Sequence, residues 1–250
     1  MRRWGYRKKV SAILCQIIMC CLLLEGCDMP DMGRYMSNAQ AGQMNFGGSV
    51  DHTMLKTYIH EILEKLQELG IDAIEAEEDI VNQFLIRPEE VLEAMEPEWI
   101  LGTILSLIGS GFFPGTEEAA KEIYAFDMEM PEIVQMYTDF FEGIVRIAGG
   151  DLEITDIEEE MSEEVLEAGE GTKTVRFCCN GKVYEYEAQY YYDWFDTGML
   201  AFMNQVLEDQ NTDSRLYVTG DGGQDCIVLY RTEEWAEQFR RLFSMGLERP

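Results

Sequence analysis

Two carboxylates, Asp193 and Asp196, flank the aromatic pair Trp194 and Phe195, and three tyrosines, Tyr190, Tyr191 and Tyr192, run directly into them. A carboxyl held against aromatic rings is raised in pKa and can pass a proton to a leaving group. The same grouping can instead grip a cation or a sugar-like ligand. A plainer reading stands beside both: Asp196 or Thr197 opens a helix, and the aromatics divide between core and rim. Tyr192, Asp193, Trp194 and Asp196 are therefore candidate ligand or partner residues. No catalytic residue is assigned.

Other reactive side chains are sparse. His52 and His60 lie eight residues apart, not the four that lets two imidazoles on one helix share a metal. Beyond position 27 the cysteines are Cys178, Cys179 and Cys226, with no CxxC spacing for zinc. Their odd number cannot all pair, although Cys178 or Cys179 could bridge to Cys226 if their strands neighbour each other. Asp209, Asn211 and Asp213 open like a calcium loop. Ser214 then stands where that loop needs Gly, and Gly220 where it needs Glu. The glycines of Gly220-Asp221-Gly222-Gly223 have no following lysine, and Gly109-Ser110-Gly111 lacks the frame of a nucleophile elbow. Neither a metal nor a cofactor is expected.

The expected architecture is α+β. Residues 51–148 read as a helical domain and 149–250 as an α+β domain. In the first, Leu55, Ile59, Ile62, Leu66 and Leu69 form one stripe, which Gly70 closes. A second helix is expected over 73–86. Pro88 and Pro97 start two more, and the run 99–108 is apolar all round, as a buried helix would be. Helices over 117–126 and 131–147 complete an N-terminal bundle. After Gly149-Gly150 the period shortens to two. Asn180-Gly181 supplies the two positive φ values of a type I′ hairpin turn. That turn sets Phe177 opposite Tyr184 and Val175 opposite Tyr186, with Arg176 and Glu185 on the other face. A helix over 196–207, a second hairpin (216–219 and 226–231) and a helix after Thr232 follow. The expected layer is a small antiparallel sheet of two hairpins with helices on one face, in ββαββα order.

Ahead of these elements, residues 1–9 carry five basic side chains and no acid, and residues 10–24 are almost wholly apolar. This is the layout of a secretory leader, too short to span a bilayer comfortably. The segment Leu24-Glu25-Gly26-Cys27 resembles the lipobox of bacterial lipoproteins, with an aliphatic residue at −3 and a small one at −1. The resemblance covers the leader alone. It implies a signal peptide over 1–26, diacylglycerol on the Cys27 sulfur and a cell-membrane location facing outside the cytoplasm. Residues 27–50, rich in Gly, Ser, Asn and Gln, then read as a flexible tether.

The formal charge is −29. Without residues 1–26, which hold five basic residues and one acid, 14 basic and 47 acidic residues remain, a charge of −33. Such a chain repels phosphate backbones, so nucleic acid is excluded as a partner, and it draws in cationic proteins or peptides. With 46% hydrophobic and 11% aromatic residues it is too apolar to be a solvated tail. The reading is a lipid-anchored binding or accessory protein, possessing no enzymatic site. The alternatives are an envelope-polymer hydrolase working through Asp193 and Asp196, and a purely structural surface lipoprotein.

Overall fold

The computed structural model describes residues 52–111, 113–243 and 246–250. The expected leader, the expected lipidation site Cys27 and the expected tether lie outside the described residues. Helix α1 (His52–Glu68) buries the expected stripe of Leu55, Ile59, Ile62 and Leu66, joined by Leu63. Gly70, at φ +85°, ends it and lets the Ile71 amide return to the Leu66 carbonyl at 2.9 Å. A 3₁₀ turn (Ile74–Ala76) leads into α2 (Glu77–Leu85), and α3 (Glu89–Ala94) follows the extended Pro88. Helix α4 (Pro97–Gly109) starts on its proline and buries Ile100, Leu101, Ile104, Leu105 and Ile108. Each such side chain contributes about 1.5–3 kcal/mol by leaving water, so this helix anchors the core around it.

The N-terminal helical bundle is corrected. Residues expected to form a helix over 117–126 make a 3₁₀ turn (Ala119–Lys121) and then strand β1 (Tyr124–Asp127). β1 pairs antiparallel with β6 (Asp225–Arg231), Tyr124 opposite Val228. The partner strand lies about a hundred residues away, so local periodicity carries no sign of it. The core is shared in the same way: Leu55, Ile62 and Ile104 pack in one cluster with Tyr217, Ile227, Leu229 and Phe239.

The single sheet of two hairpins is corrected as well. Among the described residues the fold is a mixture of eight α-helices and two three-stranded antiparallel sheets. One sheet has the order β1-β6-β5, with β5 spanning Arg215–Gly220. The other has the order β2-β3-β4, formed by Ile154–Glu160, Glu170–Cys179 and Lys182–Tyr191. Each hairpin thus recruits a third strand from elsewhere in the chain, and the two hairpins never share a sheet. Four helices complete the set: α5 (Met136–Ile147), α6 (Glu163–Ala168), α7 (Gly198–Asp209) and α8 (Glu233–Phe243).

The Asn180-Gly181 hairpin forms in the expected register. Val175 faces Tyr186, Phe177 faces Tyr184 and Arg176 faces Glu185, with Asn180 at φ +48° and Gly181 at φ +82°. Val175, Phe177 and Cys179 are fully buried. They face an aromatic layer in which Phe141 lies 4.4 Å from Phe177, and Phe140 lies 4.9 Å from Phe195.

Candidate functional site

The residues singled out in sequence lie on one short segment, which ties the two sheets together. The Trp194 amide donates to the Tyr191 carbonyl at 3.1 Å, turning the chain at the end of β4. The Met130 amide then donates to the Asp193 carbonyl at 2.7 Å, and the Phe195 amide to the Met128 carbonyl at 2.8 Å. Because the Met128 amide in turn reaches the Gln224 carbonyl at 3.1 Å, the segment extends the β1-β6 side. Phe195 is the apolar pin, buried 5.0 Å from Phe126 and 5.3 Å from Tyr137.

Asp193 and Asp196 do different things. The Asp196 carboxylate accepts from the Tyr186 hydroxyl, the Gln189 amide and the Gly198 amide, each at 2.9 Å. It therefore fastens the start of α7 to β4 with three hydrogen bonds, two from backbone. Burial and this bond to Asp196 both push the Tyr186 hydroxyl well above its ordinary range, so it stays a donor. The Asp193 carboxylate makes no hydrogen bond among the described residues. Its charge helps raise the pKa of Asp127, after burial, Asp225 and Glu129. Trp194 is half-buried. Tyr192, at φ +50° and 55% exposed, donates its amide to the Gly169 carbonyl at 2.7 Å. Its ring meets that of Tyr191 edge to face at 5.3 Å, and Tyr191 is 52% exposed. The segment thus presents two tyrosines outward and uses its carboxylates for different purposes.

A surface depression of about 610 Å³ lies between the end of β2, the first turn of α6, and Thr172 and Thr174 of β3. Glu159 reaches it from below, yet both of its oxygens are occupied. Oε2 takes the Lys173 ammonium at 2.6 Å, while Oε1 takes the Thr138 amide at 2.8 Å and hydroxyl at 2.9 Å. Lys173 also donates to the Ile133 carbonyl at 2.6 Å. The depression offers hydroxyls and Glu160. Of these hydroxyls, Ser162 caps α6 through the Val165 amide and Thr174 donates to Glu187. Nothing there combines a nucleophile with a base.

Cys178, Cys179 and Cys226 are free thiols. Cys226 sits on β6, in the sheet that does not contain β3, so no bridge to Cys178 or Cys179 forms. Burial pushes the Cys179 thiol up to about 11 and the Cys226 thiol up to about 12, which removes both as thiolate nucleophiles near neutrality. His60 joins Glu77 at 2.7 Å, and His52 is exposed. Asp209 Oδ2 holds Lys182 at 2.5 Å and also accepts from Tyr184, so this carboxylate is engaged by the hairpin. No group of three or more His, Cys, Asp or Glu among the described residues could hold a metal ion.

Sequence reasoning missed two features. One is the buried Lys173–Glu159 pair, which a lysine at an inward-facing position of the hairpin could have signalled. The other is an acidic grouping at the end of the β1-β6-β5 sheet. There Asp127 pairs in register with Asp225, and Ser106 donates to Asp225. Burial, then Asp225, raises the pKa of nearby Asp221. Its members lie far apart in sequence, so only strand pairing reveals it. No helix among the described residues is long and apolar enough to cross a membrane. No family model, curated protein or solved structure matches this chain.

Proposed function

We propose that this chain is a lipid-anchored, extracytoplasmic binding or accessory protein whose partner is a basic polypeptide. The observation that carries the reading is the exposed Tyr191–Tyr192 pair at the C-terminal end of the acidic helix α6. Glu163, Glu164 and Glu167 lie on that helix, and Gly169, its last cap residue, supports Tyr192. Paired tyrosines give a large contact area with few rotamers to freeze, and their faces attract lysine and arginine. The surrounding charge, −29 for the whole chain, raises the encounter rate with cations. The anchor in this reading is lipid on Cys27, supported by the Leu24-Glu25-Gly26-Cys27 motif. A hydrolase built on Asp193 and Asp196 draws no such support, because Asp196 is saturated by three donors.

The test is titration of the detergent-solubilised protein with a lysine-rich polypeptide at low and at high salt. Wild type should bind, and more weakly as salt screens the acids. Replacing Tyr191 and Tyr192 together by serine should weaken binding with no loss of fold. Binding indifferent to both salt and the tyrosines overturns the reading. Metabolic labelling with a fatty-acid analogue should mark wild type but not Cys27→Ala. Equal labelling removes the anchor.

A further inference from the structure

The geometry points to the outer edge of β4 as a docking site for an extended basic segment, which adds to the β2-β3-β4 sheet as a fourth strand. This rests on the function proposed above and supplies the place and the backbone mode of binding.

The hairpin decides which backbone groups face outward. A two-residue turn makes its flanking residues, Cys179 and Lys182, a hydrogen-bonded pair. Alternation along the ladder then puts Val183, Glu185, Glu187 and Gln189 at the non-hydrogen-bonded positions. Their N–H and C=O groups point away from β3. Gln189 confirms the parity, since its amide donates outward to Asp196 at 2.9 Å. Asp196 closes that end of the edge. The amides of Val183, Glu185 and Glu187 find no partner among the described residues.

The other edges are protected. On β5, Val218 exchanges hydrogen bonds with Glu248 at 2.8 and 2.9 Å, so the C-terminal tail covers part of that strand. β2 shifts register between Thr155 and Glu158, with Asp156 at φ +52°. Such a bulge spoils a strand as a template. β1 is four residues long. β4 runs for ten residues in unbroken register with β3.

Charge selects the occupant. Val183 (64% exposed), Glu185 and Glu187 lie on the outer face beside the edge, and Glu158 and Glu160 lie further in. Arg176, bonded to Glu185 and Glu158, is the one cation on that face among the described residues. A strand with lysine or arginine at alternate positions would set its cations against these acids. Two copies of β4 paired about a two-fold axis would instead bring glutamates together, which disfavours self-pairing. Asp196 closes the edge at Gln189, so the docked segment lies along residues 183–187, short of the exposed tyrosines.

Two synthetic peptides of equal charge test this on the detergent-solubilised protein, one alternating lysine with threonine and the other lysine with proline. The first should bind and slow amide hydrogen exchange at Val183, Glu185 and Glu187. The second should bind at least about tenfold more weakly, because proline gives no N–H to a ladder. Glu185→Pro removes one outward amide and leaves the β3 ladder intact, whereas Glu185→Lys keeps the amide and reverses the charge. Each should weaken the threonine peptide by about tenfold. Should Glu185→Pro fail to fold by circular dichroism, Glu185→Lys and the exchange data decide. Equal binding of both peptides without protection at those amides overturns edge docking and leaves the basic-partner reading standing. No binding of either peptide at low salt overturns both. Protection that grows with protein concentration in the absence of peptide identifies a second copy as occupant and overturns the inference.

Discussion

Lys173 and Glu159 sit 2.6 Å apart on adjacent strands, with 2% and 4% of their side chains exposed. Neither charge reaches water, so each depends on the other and on Thr138 and Ile133 for compensation. Removing one partner strands the other charge. Glu159→Leu or Lys173→Met should each cost about 3–5 kcal/mol in urea unfolding. The double replacement should cost less than the sum, because it leaves no orphan charge. Single variants within about 0.5 kcal/mol of wild type would show that water reaches the pair.

Asp196 and Asp193 should separate sharply. Asp196→Ala deletes the acceptor of three hydrogen bonds and leaves the Tyr186 hydroxyl and two amides unpaired, a loss of about 2–4 kcal/mol. Asp193→Asn removes no hydrogen bond of the described residues and should stay within about 0.5 kcal/mol, as surface changes do. Thermal unfolding of the two variants reads this directly. A folded Asp193→Asn protein that loses cleavage of an envelope polymer present in wild type would restore the hydrolase alternative.

What the sequence revealed divides along the range of the interactions. The Asn180-Gly181 turn fixes its own dihedrals, and the alternation of Val175, Phe177 and Cys179 fixes which face is inward, so the hairpin and its register were legible. Helices α1 and α4 were legible because their apolar residues repeat within a few turns. β1 was not. Ala119, Ala120 and Lys121 favour a helix, and Tyr124-Ala125-Phe126 becomes a strand through pairing with Val228 and Cys226. The partition of the hairpins between two sheets was hidden for the same reason. Lys173 shares the inward parity of Val175, a signal available in sequence. Its partner was not predictable, because the irregularity after Thr155 resets which β2 residues point inward. At the candidate segment the sequence singled out Tyr192 and Asp196 by residue type alone. It could not tell that one faces solvent while the other is saturated.

Gly102 should resist substitution although it lies within a helix. Alanine there gains about 1 kcal/mol of helix propensity. Its Cβ, however, would stand 2.6 Å from the Gly220 carbonyl oxygen and 2.7 Å from the Asp221 Cα. Both neighbours are backbone of the β5–β6 turn, and Gly222 in that turn is itself packed on the Trp99 ring. The turn cannot yield cheaply, so Gly102→Ala should lower stability by about 1–3 kcal/mol. Gly246→Ala, with no atom within 4 Å, provides the control and should unfold close to wild type. A Gly102→Ala protein more stable than wild type would mean that α4 and the turn are not in contact.

The His60 bridge makes a prediction in pH. Its hydrogen bond to Glu77, then the charge of Glu77, raise the pKa of His60 above the ordinary 6.5. The folded protein therefore holds this proton more tightly than the unfolded chain. The contribution is fully present below the unfolded value and fades as pH rises through the folded one. His60→Gln should accordingly destabilise more at about pH 6 than at about pH 8.5, with the difference shrinking in high salt because the site is open to solvent. Parallel urea titrations of wild type and variant at the two pH values provide the measurement. A gap that widens toward alkaline pH would reverse the sign of the coupling, and the bridge between α1 and α2 could not then be ionic.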